Sequence, residues 1–535
     1  MPSTKKLLSI SNLKKYFPVA KSSVFQKEQL YVRANEDISL DIYEGETLGI
    51  VGESGCGKST LGRTLLQLYP QTAGTTMYYG LTLADMPCDY VPETLKNLDK
   101  HKASLKKAEE KAEALTKKVE EAGGEEKADF YLLQEKNLAD CEVQTQLNHI
   151  VKILGGFFAA DEGNKGRDLM LEIHEANVKR VSHLHKLKSE LIEKEHLDTV
   201  TDAKNQEKLQ EKRRKLQQSI DALSAENAEN EAKVKELNDK LDALRAGYAD
   251  NAEFAKYEAM RDEGIDLSRL KYNEMRYLRR DLQIIFQDPY SSLNPRFTIG
   301  QIIEEGLLTH NMYKHGSEKM RKHIVDTMVE CGLQEYMLHR YPHQFSGGQR
   351  QRVAIARALA VNPKFIVCDE CVSALDVSIQ SQIINLLQEL KEKENLTYMF
   401  ISHDLSVVRY ISDRICVMYL GNVVELADAA TIFDDPRHPY TVALLSSIPS
   451  TDVDPNKKER IILEGNIPSP IKPPSGCKFH TRCYMACEKC KRVPPELREI
   501  EPGHFLACHF PEKKLDENGN YTFQLPKMER MEERG

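Results

Sequence analysis

The stretch Gly52–Thr60 reads GESGCGKST and follows the apolar run ETLGIV, which ends at Val51. The apolar run predicts a buried strand, and the leucines after the stretch have the spacing of a helix. Glycines let the backbone curl so that its N–H groups face phosphate oxygens, while Lys58 offsets phosphate charge and Ser59 offers a hydroxyl to Mg²⁺. A strand, this loop and a helix together predict nucleotide binding by Gly52, Glu53, Ser54, Gly55, Cys56, Gly57, Lys58, Ser59 and Thr60.

A second apolar segment, FIVCDE, ends in two adjacent acids, Asp369 and Glu370. At the end of a strand, the first carboxylate can hold Mg²⁺ through water and the second can polarise an attacking water. The pair therefore predicts hydrolysis of the bound nucleotide rather than binding alone.

A second anion-binding turn is predicted upstream of those acids, where SGGQ opens a helix at Ser346, Gly347, Gly348 and Gln349. One nucleotide does not need two such turns. We therefore expect two chains to meet head to tail, so that the Ser346 turn of one closes on the γ-phosphate held by Lys58 of the other.

These motifs, in this order, resemble the ATP-binding cassette ATPases; the set also includes FQDP, SALD and ISHD. The resemblance implies that Gln287 senses Mg²⁺ and a transmembrane partner, and that Asp376 belongs to a dimer-contacting loop. It also implies that His403 contacts the γ-phosphate and that an aromatic residue before the phosphate loop stacks on adenine. Phe17 is the preferred candidate for that stacking, with Tyr16 as the alternative.

The segments QDPYSSLNPR, DECVSALDVSIQSQ, DPRHPYTVALLSSIP and GCKFHTRC resemble the oligopeptide/dipeptide importer branch of that family. This resemblance implies a second, non-identical cassette as partner, two transmembrane permease subunits and, indirectly, an extracytoplasmic substrate-binding protein. It leaves the cargo open, because nickel and other small solutes are carried by the same branch. Cys371 departs from the pattern, since the branch usually has proline there.

Composition narrows the class of protein before any motif is considered. The chain has 535 residues, a net charge of −8 and a pI near 6.1, which argues against general nucleic-acid binding. Its longest apolar stretch, 150–160, is too short to cross a bilayer, and its start lacks the apolar core of a secretory signal. We expect a peripheral protein at the cytoplasmic face of the membrane.

Residues 81–264 interrupt the cassette with sequence rich in Lys, Glu, Ala and Leu. Apolar residues recur every seven positions from Leu98 to Val119 and again from Leu209 to Leu244. We expect these two segments to pair antiparallel as a coiled-coil arm, with a third helix over 170–191. The apolar patch 150–160 is either a contact at the arm's tip or the cap of a small helical core.

The C-terminal tail contains Cys477, Cys483, Cys490 and Cys508 in a proline-rich segment that is too short to build a core of its own. In a reducing cytoplasm such thiolates favour metal over disulfides, and both zinc and a four-iron cluster accept four cysteines. The resemblance favours a 4Fe–4S cluster, with Zn²⁺ and unligated thiols as alternatives.

The predicted fold is α/β: a P-loop NTPase core with an antiparallel β flank and a helical subdomain, an inserted helical arm and a small Cys-rich extension. The predicted divisions are 1–80 and 265–440 for the core, 287–359 for the subdomain within it, 81–264 for the arm and 441–535 for the extension.

A soluble cassette ATPase of chromosome maintenance or DNA repair is the alternative function, since such proteins also carry coiled coils. Motif order argues against it, because Gln287 follows the insertion and no Cys-x-x-Cys marks its apex. A third reading is an interaction protein whose arm matters more than its ATPase.

Overall fold

The computed structural model describes residues 5–20, 29–124, 127–199, 206–448 and 461–510. Parts of the predicted core (1–4 and 21–28), arm (125–126 and 200–205) and extension (449–460 and 511–535) lie outside these residues. The chain divides into two compact units. Of the described residues, the first unit contains 5, 11–72 and 365–510, and the second contains 6–10 and 73–364.

The strands in the described residues are β1 (Lys6–Pro18), β2 (Tyr31–Tyr43), β3 (Thr47–Val51), β4 (Ala73–Tyr78), β5 (Ile265–Asp266), β6 (Leu282–Ile285), β7 (Phe365–Asp369), β8 (Thr397–Ile401), β9 (Arg414–Tyr419), β10 (Asn422–Asp428), β11 (Arg498–Glu501) and β12 (His504–Leu506). The α-helices up to the end of the insertion are α1 (Lys58–Leu65), α2 (Tyr90–Lys96), α3 (Leu98–Glu121), α4 (Phe130–Leu154), α5 (Lys165–Thr199), α6 (Gln206–Ala246) and α7 (Ala252–Glu258). Those that follow are α8 (Tyr272–Leu278), α9 (Pro289–Ser292), α10 (Ile299–Thr309), α11 (Glu318–Glu330), α12 (Gly347–Leu359), α13 (Val377–Glu394), α14 (Leu405–Ile411), α15 (Ala429–Asp434), α16 (Pro439–Ser446) and α17 (Glu488–Arg492). Short 3₁₀ turns cover Gly155–Phe158, Glu162–Asn164, Leu267–Arg269, Glu335–His339 and Pro342–Gln344.

The first unit is built on a mixed sheet whose strands follow the order β11-β12-β10-β9-β3-β8-β7. Strand β3 runs parallel to β8 and β9, and β7 runs parallel to β8, whereas β10 and β12 are antiparallel to their neighbours. Strands β3, β7 and β8 are buried along their whole length, as continuous apolar runs in parallel sheets require. This arrangement brings the carboxyl ends of β3, β8 and β7 to one edge.

In the second unit β4 pairs antiparallel with β5, and the amide of Tyr79 donates to the carbonyl of Leu7 in β1. The segment TTMYYG therefore contributes most of strand β4. The subdomain region 287–359 is helical, with α9 to α12. Helix α10 begins with a capping box in which Thr298 and Gln301 satisfy each other's backbone amides, a local signal that fixes its start.

The predicted pairing within the insertion is wrong. The two heptad segments lie in α3 and α6, but α3 packs against α4 and α6 packs against α5, so that two successive helical hairpins form. The predicted face of α3 is buried, and Ala112 and Leu115 pack with Ala139 of α4. The third predicted helix is part of α5. Pairing helices that follow one another in the chain costs less loop-closure entropy than pairing segments roughly a hundred residues apart.

Several polar contacts link α5 and α6. Lys194 donates to Gln217, Ser219 donates to Glu190, and Lys212 lies 2.8 Å from the carboxylate of Glu193. Contacts of this kind carry no heptad signal, so the sequence did not identify α5 as the partner of α6.

The apolar patch 150–160 does not form a tip. It lies at the end of α4 and in the following 3₁₀ turn, where Phe157 is 1% exposed and packs edge-on against Phe254 of α7, with ring centroids 5.3 Å apart. Helix α7 closes the insertion, so the patch is the core of a small helical cluster where the inserted chain begins and ends. In the ranges that the structure describes, no helix combines the length and the apolar character that crossing a bilayer needs.

Candidate functional site

The loop after β3 has the geometry of a phosphate cradle. Gly52 and Gly57 have φ of 150° and 101°, and a Cβ on them would lie 2.2 Å from the carbonyl oxygen of Met418 and 2.1 Å from that of Ala34, respectively. Only glycine fits this conformation and this close backbone approach. Helix α1 starts at Lys58, so its N-terminal amides face the loop. The predicted stretch Gly52–Thr60 therefore follows the expected strand and comprises the loop and the start of the expected helix.

Lys58 reaches back over the loop that precedes it. Its Nζ donates to the carbonyls of Gly52 at 2.7 Å and Glu53 at 3.0 Å, and its side chain is buried. The ammonium group is thereby held in the concave side of the cradle, where it can offset phosphate charge.

Ser59 and Asp369 meet although they are far apart in sequence. The hydroxyl of Ser59 donates to the Asp369 carboxylate at 2.5 Å, and Arg63 Nη2 lies 3.1 Å from the other carboxylate oxygen. Asp369 is 1% exposed at the end of β7. A hydroxyl beside a carboxylate is a set of oxygen ligands that suits Mg²⁺, which keeps several waters as well. These two residues fit the ion that the sequence predicts here.

Glu370 and His403 lie next to this pair. The backbone of Glu370 adopts a left-handed conformation with φ of 48°, and its amide donates to Ile401 of β8 at 3.0 Å. One carboxylate oxygen of Glu370 lies 3.7 Å from Nδ1 of His403, whose side chain is 60% exposed. A non-glycine residue in this region of φ is uncommon and recurs at active sites. Residues at the ends of β7 and β8 are thus brought together beside the loop after β3.

The remaining predicted residues are distributed over both units. Asp376 is exposed at the N-terminus of α13 in the first unit. In the second unit Gln287 is exposed between β6 and α9. Ser346 caps α12 there, forming a reciprocal capping box with Gln349, and Gly347 and Gly348 occupy its first turn.

The two candidates for adenine stacking, Tyr16 and Phe17, lie in different surroundings. Tyr16 is 6% exposed and its hydroxyl donates to Glu36. Phe17 is half-buried, packs edge-on against Tyr69 with centroids 5.4 Å apart, and has Lys15 Nζ 4.6 Å from its ring centre. Phe17 is the more exposed of the two, so it remains the predicted stacking residue.

The four cysteines Cys477, Cys483, Cys490 and Cys508 line one cavity. Burial raises the pKa of Cys483 to about 12 and that of Cys508 to about 11. Cys487 does not line this cavity, although its Sγ is 3.8 Å from that of Cys490. Among the described residues no group of three or more His, Cys, Asp or Glu side chains is arranged to hold a metal ion. The cluster therefore stays a prediction.

Sequence reasoning missed two residues that hold the phosphate loop from outside the cassette motifs. Arg482 forms a two-pronged ion pair with the carboxylate of Glu53, at 2.6 and 3.0 Å. The hydroxyl of Tyr440 accepts the backbone amide of Glu53 at 2.8 Å. The only sequence signal was that both lie in segments with the importer-branch pattern, which does not say what either contacts.

Comparison with known proteins identifies the family. The protein-family model described as "ABC transporter" matches residues 35–256 and 255–373. The family model described as "Oligopeptide/dipeptide transporter, C-terminal region" matches residues 424–490. The chain belongs to the ABC transporter family. It is an ATP-hydrolysing cassette, as the motifs predicted.

Similar proteins of this family include several whose names refer to oligopeptide transport. A putative oligopeptide transport ATP-binding protein, YkfD of Bacillus subtilis, is 54% identical over 46% of this chain and 75% of its own length. The oligopeptide transport ATP-binding protein AppF of the same organism is 53% identical over the same shares of the two chains. OppF of Salmonella typhimurium, with the same description, is 52% identical over 46% of this ABC protein and 73% of its own length.

Proposed function

We propose that this ABC protein is the ATPase subunit of an importer of oligopeptides or dipeptides, placed peripherally at the cytoplasmic face of the membrane. The names of its relatives and the C-terminal family match support this cargo class. The geometry that carries the ATPase role is the contact of Ser59 with Asp369 beside Lys58, with Glu370 next in the chain. Mg²⁺ would supply charge neutralisation at the phosphates when held by Ser59 and Asp369.

The residues of the first unit divide the work of hydrolysis. Lys58 and the amides of the loop bind the phosphates, and Glu370 polarises the attacking water by accepting a hydrogen bond from it. We propose that His403, whose Nδ1 is 3.7 Å from the Glu370 carboxylate, contacts the γ-phosphate. Phe17 stacks on adenine.

A second, homologous cassette completes the site. We infer that its Ser346–Gln349 turn closes on the γ-phosphate and that its Asp376 loop lines the contact, because one chain carries two anion-binding helix starts. Binding of ATP then holds the two cassettes together, and hydrolysis allows them to separate. This cycle drives transport through two permease subunits. The division into core 1–80 and 265–440, arm 81–264 and extension 441–535 is part of this proposal.

The test is purification of the tagged chain from detergent-solubilised membranes, followed by identification of the associated proteins. We expect a second cassette ATPase and two membrane-spanning subunits, and ATP-dependent peptide uptake when the complex is placed in vesicles with its binding protein. Recovery of the chain alone, or ATPase activity stimulated by duplex DNA and not by peptide, would contradict the proposal. The second outcome would favour a DNA-maintenance function, which the family matches do not support.

We further propose that Cys477, Cys483, Cys490 and Cys508 hold a 4Fe–4S cluster. A cluster binds each cysteine through a separate iron, so its ligands need to surround one cavity rather than one point. All four thiols line one cavity, as the ligands of either a cluster or a single zinc ion would, and the resemblance to the importer branch favours the cluster.

Metal analysis of two cysteine variants separates the alternatives. After anaerobic purification, we expect iron and acid-labile sulfide in equal amounts in the unmodified chain, with both lost from Cys483→Ser. Cys487→Ser is the matched control and should retain them, because Cys487 lies outside the cavity lining. One equivalent of zinc, or no metal in the unmodified chain, would refute the cluster.

A further inference from the structure

Arg482 lies in the Cys-rich extension but is paired with the phosphate loop. Both of its terminal nitrogens contact the carboxylate of Glu53, and its side chain is only 7% exposed while that of Glu53 is 25% exposed. A two-pronged arginine–carboxylate pair fixes both distance and orientation, and partial burial protects it from screening by solvent. The side chain of the loop's second residue is therefore fixed by a residue 429 positions away.

The backbone of the same loop residue is fixed by a second contact from the C-terminal side. Tyr440, which is fully buried, accepts the amide of Glu53. The Tyr440 ring packs against Tyr419 and Phe479, with centroids 4.8 and 5.3 Å away. Phe479 belongs to the same short segment as Arg482, between Cys477 and Cys483. The cysteine segment thus supports the loop through a packed aromatic group as well as through the ion pair.

The charge of Glu53 explains why this support matters for the nucleotide. Without Arg482, a carboxylate would stand uncompensated in the loop that receives the negatively charged phosphates. Lys58, whose ammonium group contacts the carbonyls of Gly52 and Glu53, supplies one positive charge, which the loop needs for the phosphates. We propose that Arg482 is a positioning residue: it neutralises and fixes Glu53, and so couples the state of the C-terminal cysteine segment to the affinity of the cassette for ATP.

The proposal predicts a charge-specific defect in Arg482→Ala. We expect its dissociation constant for ATP to rise roughly fivefold, as an unpaired charge near a phosphate would cause at intermediate dielectric. The increase should be larger at low salt, because screening weakens charge repulsion. Fluorescent nucleotide titration measures this, and the chain contains no tryptophan to interfere.

Glu53→Gln is the decisive second change. In a chain that already carries it, Arg482→Ala should cause no further loss of ATP affinity, because no carboxylate remains to be neutralised. Arg482→Lys, which keeps the positive charge, should restore most of the affinity lost in Arg482→Ala. Arg498→Ala, which changes an exposed arginine in β11 of the same C-terminal extension, should leave the ATP affinity unchanged.

Two results would overturn the inference. One is an Arg482→Ala loss of equal size with Glu or Gln at position 53, which would show that the residue acts through packing alone. The other is unchanged ATP affinity in Arg482→Ala. Neither result bears on the proposed transport function, whose failure would appear as an absence of ATP hydrolysis or of membrane partners in the unmodified protein.

Discussion

Glu370→Gln is expected to lower the kcat for ATP hydrolysis by about 10²- to 10⁴-fold, which is the usual contribution of a positioned general base. Glutamine keeps the shape and hydrogen-bonding capacity of the side chain but cannot take up the proton of an attacking water. Glu370 is the residue that directly follows Asp369 at the end of β7, and it lies beside His403. The substitution therefore removes the group best placed to act on that water.

The affinity of this variant for ATP should be unchanged or slightly higher, because a negative charge near the γ-phosphate has been removed. Steady-state turnover and fluorescent nucleotide titration together separate the two effects. The control is Glu389→Gln, which alters an exposed carboxylate on α13 and should leave both quantities unchanged. Unchanged turnover in Glu370→Gln would remove Glu370 from the chemical step.

The phosphate loop was predictable because its chemistry is contiguous in the sequence. Gly52, Gly57 and Lys58 lie within one short segment, and the conformation that each requires is local. The same holds for the Ser346 capping box, whose partners are three residues apart. Patterns of this kind fix a structure before anything is known of the rest of the chain.

The sequence assigns Mg²⁺ to Ser59 and to Asp369 from two separate local patterns. Strand β8 lies between β3 and β7, and it comes after β7 in the sequence. Neither strand's composition states that order, so the contact between the two side chains could not be derived from the patterns alone. The sheet register supplies the missing step, because it aligns Asp369 with Ile401 of β8.

Two features could not be predicted from the sequence for a common physical reason. Heptad spacing in α3 and α6 marks faces that become buried but does not name the helix that covers them, and so the pairing was wrong. In the same way, neither Glu53 nor Arg482 carries a pattern that identifies the other as its partner. An apolar face or a charged side chain indicates the chemical type of residue that will contact it. Which residue of that type makes the contact depends on the topology of the fold.

Phe479→Ala is expected to lower the free energy of unfolding of the first unit by about 3–5 kcal/mol, the usual cost of removing a buried aromatic ring. Phe479 is 1% exposed and contacts Tyr419, Tyr440 and His438, with ring centroids 5.1, 5.3 and 5.7 Å away. Phe479 supplies the buried aromatic ring of the segment between Cys477 and Cys483. Urea denaturation followed by circular dichroism measures the change.

Tyr410→Ala is the control for this substitution, since Tyr410 is an aromatic residue of the same unit that is 61% exposed. It should cost less than about 1 kcal/mol. A loss of that small size in Phe479→Ala would mean that the cysteine segment is not packed on the cassette.

Removal of the Phe479 ring also affects the phosphate loop, because the ring of Tyr440 packs against Phe479 and its hydroxyl accepts a hydrogen bond from the amide of Glu53. Phe479→Ala should therefore weaken ATP binding even at temperatures where the unit remains folded, and Phe479→Leu, which fills part of the cavity, should recover part of both losses.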